Sequence, residues 1–198
     1  MQTSKIAAPN FDLVSGEKIT REFLRRGLTD FYRALDCIWR LAYGRNSKRA
    51  DFRLVLKENR GTCSTKHALL AALSAEQKRE VFLTLRIYEM NGRNTAGVGA
   101  VLGEYGLDNL PEAHCYLTYR DKRIDVTRFS DEEKIEPIED FVYEETIRPA
   151  QIGDYKLRLH RAFFHDWMGE KNLTRQFGFD ELWSVREKCI AATAQETV

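Results

Sequence analysis

Helical and strand patterns keep to separate parts of this chain, and that segregation constrains the fold more than any other feature. Helical spacing fills two ends, about 18–44 and 154–193, and between them one helix leads into strand patterns with tight turns. Elements grouped this way, rather than alternating, indicate an α+β fold with an antiparallel sheet. Thr29 is placed to cap a helix on which Phe31, Ala34, Leu35, Ile38, Leu41 and Ala42 recur at helical spacing, with Gly44 as its stop. Gly27 separates it from a shorter helix containing Glu22, Phe23 and Leu24. Ser64 to Leu73 reads as a helix, its second half the apolar run Ala68-Leu69-Leu70-Ala71-Ala72-Leu73. Val81 to Tyr88 reads as a strand, Asn91-Gly92 as a turn, and Thr95 to Tyr105 as either a weak helix or a crossing loop. Strands over 113–119 and 123–129 form a hairpin around Asp121, a good turn residue. Phe141 to Ile147 is a further strand, ended by Pro149. Tyr155, Leu159, Ala162, Phe163 and Trp167 mark the apolar face of a helix from Asp154 to Met168, with Gly169 as C-cap. The last helix begins near Asp180 and carries Leu182, Trp183, Val185, Cys189 and Ile190. With no repeat or linker, residues 1–198 are expected to form one domain with its core at about 50–150.

Composition removes several function classes. A formal net charge of +1, from 31 Lys and Arg against 30 Asp and Glu, argues against a general polyanion binder, so no nucleic-acid partner is expected. The basic loop Arg45-Asn46-Ser47-Lys48-Arg49 and the acidic run Asp131-Glu132-Glu133 read as solvated. No stretch approaches the roughly 20 apolar residues of a membrane span. Met1 to Asn10 lacks the apolar centre of a secretion signal. The expectation is a cytoplasmic protein with no membrane partner. Cys37, Cys63, Cys115 and Cys189 are widely spread and read as free thiols. Trp39, Trp167, Trp183 and Cys37 read as core residues, and His160 and His165 as solvated or partly packed.

Three residues lie in settings that thiol chemistry needs. Cys63 opens the helix that begins in Gly61-Thr62-Cys63-Ser64. A helix N-terminus lowers a thiol pKa, as does a nearby imidazolium. His114 opens the first hairpin strand and can act as the base. Asp125, on the return strand, can fix the tautomer of that imidazole if the register sets both on one face. The backbone amides of Cys63 and Ser64 would meet an oxyanion at the helix end. Asn59 is a second oxyanion donor candidate. His67, one helical turn after Cys63, is a site-lining residue or a second candidate base. Gly61 either admits a close backbone approach or simply breaks structure before the helix. A zinc site of Cys63, His67, His114 and Cys115 is disfavoured because adjacent strand residues point to opposite faces. No metal and no cofactor are expected.

The motifs Gly61-Thr62-Cys63, His114-Cys115-Tyr116 and Asp125-Val126-Thr127 resemble those of the transglutaminase-like superfamily. Its usual pattern is glycine, one residue, cysteine; then histidine, a small residue and an aromatic; then aspartate, one residue, threonine. Tyr116 stands where tryptophan is common, and the likeness spans Asn59 to Phe129. Arg60-Gly61 is also similar to the arginine-glycine pair of arylamine acetyltransferases, whose spacing to the cysteine is one residue longer. The resemblance implies a papain-like α+β fold, a nucleophile helix packed on a small antiparallel sheet, with extra helices at both ends. It implies acyl transfer through a thioester by a Cys63–His114–Asp125 triad. The expected enzyme is a cysteine peptidase or amidase acting on a peptide, protein or small amide. The alternatives are a transglutaminase or acyltransferase with an amine acceptor, and a non-catalytic binding protein that retains the fold.

Overall fold

The computed structural model describes residues 8–14, 16–128 and 141–195. In chain order its elements are α1 (Lys18–Arg25), α2 (Phe31–Arg40), β1 (Ala42–Tyr43), α3 (Val55–Glu58), β2 (Arg60–Gly61), α4 (Cys63–Glu76), β3 (Phe82–Met90), α5 (Val98–Glu104), β4 (Leu110–Tyr119), β5 (Lys122–Ile124), β6 (Tyr143–Ile147), α6 (Asp154–Glu170) and α7 (Phe179–Gln195). Short 3-10 turns lie at Phe52–Leu54, Pro149–Ile152 and Leu173–Arg175. The architecture is mixed α+β. A four-stranded antiparallel sheet has the order β5-β4-β3-β6, and β1 and β2 form a small parallel pair. The second arm of the hairpin is shorter than its alternation suggests, and Phe129 and the acidic run Asp131-Glu132-Glu133 lie outside the described residues.

The chain divides into two compact units. The first comprises residues 1–85, 115–129 and 145–154, and the second residues 86–114, 130–144 and 155–198.

In the first unit α4 is the central element. Its apolar run is buried except at the half-buried Ala72, which suits a helix lacking a polar face. It packs against α1, α2, α3, β2 and the turns at Phe52–Leu54 and Pro149–Ile152. Phe23, Phe31, Leu35, Ile38, Leu70 and Leu73 are fully buried in this unit. Asp30, rather than Thr29, caps α2, because its carboxylate accepts from the Arg33 amide at 2.9 Å. That helix ends at Arg40, short of Gly44, because Ala42 and Tyr43 pair with Arg60 and Gly61. At the far end of α4, Glu76 accepts from the Ile19 and Thr20 amides at 3.1 and 2.7 Å, so a carboxylate sits on the N-terminus of α1.

In the second unit α5, α6 and α7 bury Tyr88, Met90, Val98, Leu102, Phe164, Trp167, Leu182 and Val185 together. Of the stretch Thr95 to Tyr105, which the sequence allows as helix or loop, Val98–Glu104 is helical. Gly92 is needed there, since a Cβ on it would lie 2.9 Å from the Gly99 Cα. Helix α6 buries His160, Phe164, Trp167 and Met168, one residue round from the face inferred from spacing; Ala162 is exposed. Gly169 lies inside its last turn, and α6 continues to Glu170. His160 is therefore core, not solvated, whereas His165 is exposed. The His160 Nε2–H donates to the Pro111 carbonyl at 2.9 Å, and its ring lies 4.9 Å from that of Trp183. Arg186 holds Glu112 through two bonds of 2.5 Å, and its charge helps keep that buried carboxyl down at about 2 against the desolvation that opposes it.

Candidate active site around Cys63

Cys63 is the first residue of a 14-residue helix, 8% exposed, with its Sγ 3.8 Å from the Ser64 Oγ. A helix starts here because Thr62 and Thr65 form a capping box. The Thr62 amide donates to the Thr65 Oγ1 at 3.0 Å, and the Thr65 amide reaches the Thr62 Oγ1 at 3.5 Å. The box engages the amides on either side of those of Cys63 and Ser64. The positive end of the helix macrodipole falls at this turn.

The four residues after Cys63 are all polar and all buried. Three of them are tied to other segments of the same unit. The Thr65 hydroxyl donates to the Asn46 Oδ1 at 2.9 Å, and the Asn46 amide group donates onward to the Arg60 carbonyl at 2.9 Å and to Glu58 at 3.1 Å. Lys66 directs its Nζ at three backbone carbonyls: Leu41 at 2.6 Å, Thr127 at 3.0 Å and Trp39 at 3.4 Å. Burial lowers its pKa to about 8, chiefly by desolvation, with the Arg128 charge acting the same way.

His67 is fully buried. Its Nε2 accepts from the Val126 amide at 2.8 Å, so the ring proton resides on Nδ1, which donates to the Cys63 carbonyl at 2.7 Å. Both ring nitrogens are committed to backbone groups. That arrangement suits a structural tie and not a base acting on the thiol. The Asp125 Oδ1 lies 3.6 Å from the same Nε2 and accepts from the Thr127 amide at 3.0 Å.

Gly61 answers its two readings by packing. A Cβ there would meet the Lys66 Cγ at 2.9 Å, the Thr65 Oγ1 at 3.0 Å and the Val55 Cγ2 at 3.1 Å. Asn59 is exposed, in the left-handed conformation at φ 51°, where it ends α3. Cys63, Ser64, His67, Asn59 and Asp125 thus belong to the first unit. His114 belongs to the second, half-buried on β4 with its ring edge-on to Tyr88 at 6.3 Å; the boundary between the units falls directly after it. The hairpin register pairs Leu117 with Ile124, and Asp125 lies one residue past the end of β5.

No protein-family model, curated protein or solved structure matches the chain. The likeness to the transglutaminase-like superfamily is thus one of motifs alone.

Among the described residues, no group of three or more His, Cys, Asp or Glu is arranged to hold a metal ion, and no helix is long and apolar enough to cross a membrane. None of the four cysteines is in a disulfide; Cys115 and Cys189 are buried and Cys37 is half-buried. Asn46 and Lys66 escaped the sequence reading. Asn46 is hidden in a basic loop whose Arg45, Lys48 and Arg49 are exposed as expected. The only signal for Lys66 was its place on a helix that runs on into an unbroken apolar stretch.

Proposed function

We propose that the protein is a cysteine-dependent acyl-transfer enzyme of transglutaminase-like, papain-like fold, hydrolysing an amide or peptide bond. One observation carries this reading. Cys63 begins a long buried helix whose first turn is fastened by directional bonds to three other segments. In the proposed reaction the Cys63 thiolate attacks the amide carbonyl carbon. A C–S bond forms, and the oxyanion is met by the Cys63 and Ser64 amides. The intermediate collapses, the C–N bond breaks, and the amine leaves with a proton from the His114 imidazolium. Water, deprotonated by His114, then attacks the thioester, and the thiolate is expelled. Asp125 orients His114. Asp125 follows directly on β5, and the Thr127 amide fixes its carboxylate.

The test is the pH dependence of Cys63 alkylation by iodoacetamide, read at the Cys63 peptide by mass spectrometry, in the native protein and in His114→Ala. A thiol pKa well under about 8.5 that rises when His114 is removed supports the reading. An ordinary pKa, unmoved by the substitution, refutes it and favours a binding protein. Cys63→Ala should abolish amide hydrolysis with the fold intact, and amine incorporation during turnover would mark a transferase.

A further inference from the structure

We infer that His67 is a positioning residue, a neutral strut that locks the Asp125-Val126-Thr127 segment to the backbone of the nucleophile; the inference rests on the acyl-transfer reading above. A histidine four residues after a helical nucleophile is the obvious candidate for its base. The hydrogen bonds rule against that use. The Val126 amide can only donate, so Nε2 receives it, and the proton on Nδ1 goes to the Cys63 carbonyl. The ring therefore spans from the residue that bears the thiol to the residue after the carboxylate, with no intermediate atom that can rotate. Its side chain has no solvent exposure, and Val126 is likewise fully buried.

The rest of the segment is pinned by the same helix. The Thr127 carbonyl accepts from Lys66, and the Thr127 amide donates to the Asp125 Oδ1. Two successive residues of α4 thus hold two successive residues after Asp125, and the third bond fixes the carboxylate's own rotamer. Asp125 itself remains partly exposed, its side chain 31% accessible. A carboxylate that must orient an imidazole needs this kind of support, since misplacement by about 1 Å costs on the order of a hundredfold in rate.

Two variants separate the ends of the strut. His67→Asn keeps an amide N–H where the ring has Nδ1 and has no atom at Nε2. His67→Gln carries an amide oxygen to the Nε2 position and has no atom at Nδ1. The expected result in His67→Asn is loss of hydrogen-exchange protection at the Val126 amide. The Cys63 alkylation pKa should also rise by about one unit, a tenfold loss of thiolate at a pH well below both values. His67→Gln should recover the Val126 protection and at least part of the shift. If the wild-type thiol is activated by His114 yet its pKa is unmoved in a folded His67→Asn whose Val126 amide exchanges freely, the strut is overturned while the acyl-transfer reading stands. A wild-type thiol indifferent to His114 overturns both. One measurement needs no variant: 15N shifts of His67 at neutral pH must show a protonated Nδ1 and a bare Nε2 coupled to the Val126 N–H. The opposite tautomer overturns the inference even where the variants do not fold.

Discussion

Acidification from pH 7.5 to 5.0 should destabilise the protein through His160. That imidazole is 3% exposed, donates its Nε2–H to the Pro111 carbonyl at 2.9 Å, and packs on Trp183. Two effects compete over its charge. Loss of hydration disfavours the imidazolium, while the Glu112 carboxylate, 4.0 Å away, favours it. Glu112 is already satisfied by two bonds from Arg186, whose own charge repels a second cation. Desolvation wins, and the His160 pKa falls from 6.5 to about 4. Between those values the unfolded chain binds a proton that the native state refuses. The contribution is thus fully present above about pH 6.5 and is lost as pH falls toward 4. At 1.36 kcal/mol per unit, the loss between pH 7.5 and 5.0 is about 2 kcal/mol. Glu112 adds little over this span, because its native value is near 2 and its ordinary value is 4.5. The assay is urea unfolding followed by tryptophan fluorescence at both pH values, in the wild type and in His160→Gln, whose amide can donate to Pro111 but does not titrate. The wild type should lose about 2 kcal/mol more than the variant on acidification. Equal losses, or a wild type that gains stability at pH 5.0, would show the imidazole charged and paired with Glu112, and would refute the reasoning.

Two further outcomes follow from the turn around Cys63. Gly61→Ala should lower stability by about 1–3 kcal/mol through overpacking, read as a lower urea midpoint, because its Cβ collides with Lys66, Thr65 and Val55. Lys66 titrates near 8 in the native state against 10.5 in the unfolded chain, so the native state loses its proton first. Stability should therefore rise with pH across that window, by up to about 3 kcal/mol, and Lys66→Met should flatten the rise in a pH series of unfolding curves.

Much of the fold was legible because it follows local rules. Helical periodicity located α2, α4, α6 and α7, and the turn at Asp121 located the hairpin. What local rules leave undetermined depends on partners distant in sequence. Thr29 and Asp30 are both good caps, and the choice fell to Asp30 because its oxygen reaches the Arg33 amide. Leu41 and Ala42 continue a helical pattern, yet Ala42 pairs with Arg60, a strand partner that spacing cannot reveal. On α6 the buried stripe runs through His160, so scoring histidine as polar rotated the inferred face by one residue. At the candidate site, the residue types and the helix start could be read from the motif around Cys63. Asn46, Lys66 and the tautomer of His67 could not, because a polar side chain reads as surface until the groups that satisfy it are known.

The two buried polar clusters differ in a way that bears on function. In the second unit, Glu112 and Arg186 satisfy each other side chain to side chain, an arrangement that apolar residues of similar volume could replace. Around Cys63 the buried side chains are spent mainly on the backbone of other segments: the carbonyls of Trp39, Leu41, Arg60 and Thr127, and the amide of Val126. Stability alone does not call for this. Burying an ammonium costs enough to draw its pKa down to about 8, and an apolar turn on α4 would escape that cost. Apolar packing, however, carries no direction and fixes neither a carbonyl nor an amide at a chosen angle. Hydrogen bonds to main-chain atoms do, and here they converge from Asn46, Lys66 and His67 onto the turn that bears the thiol and the segment that bears Asp125. That definition is what the proposed acyl-transfer chemistry would require of the turn that bears the thiol.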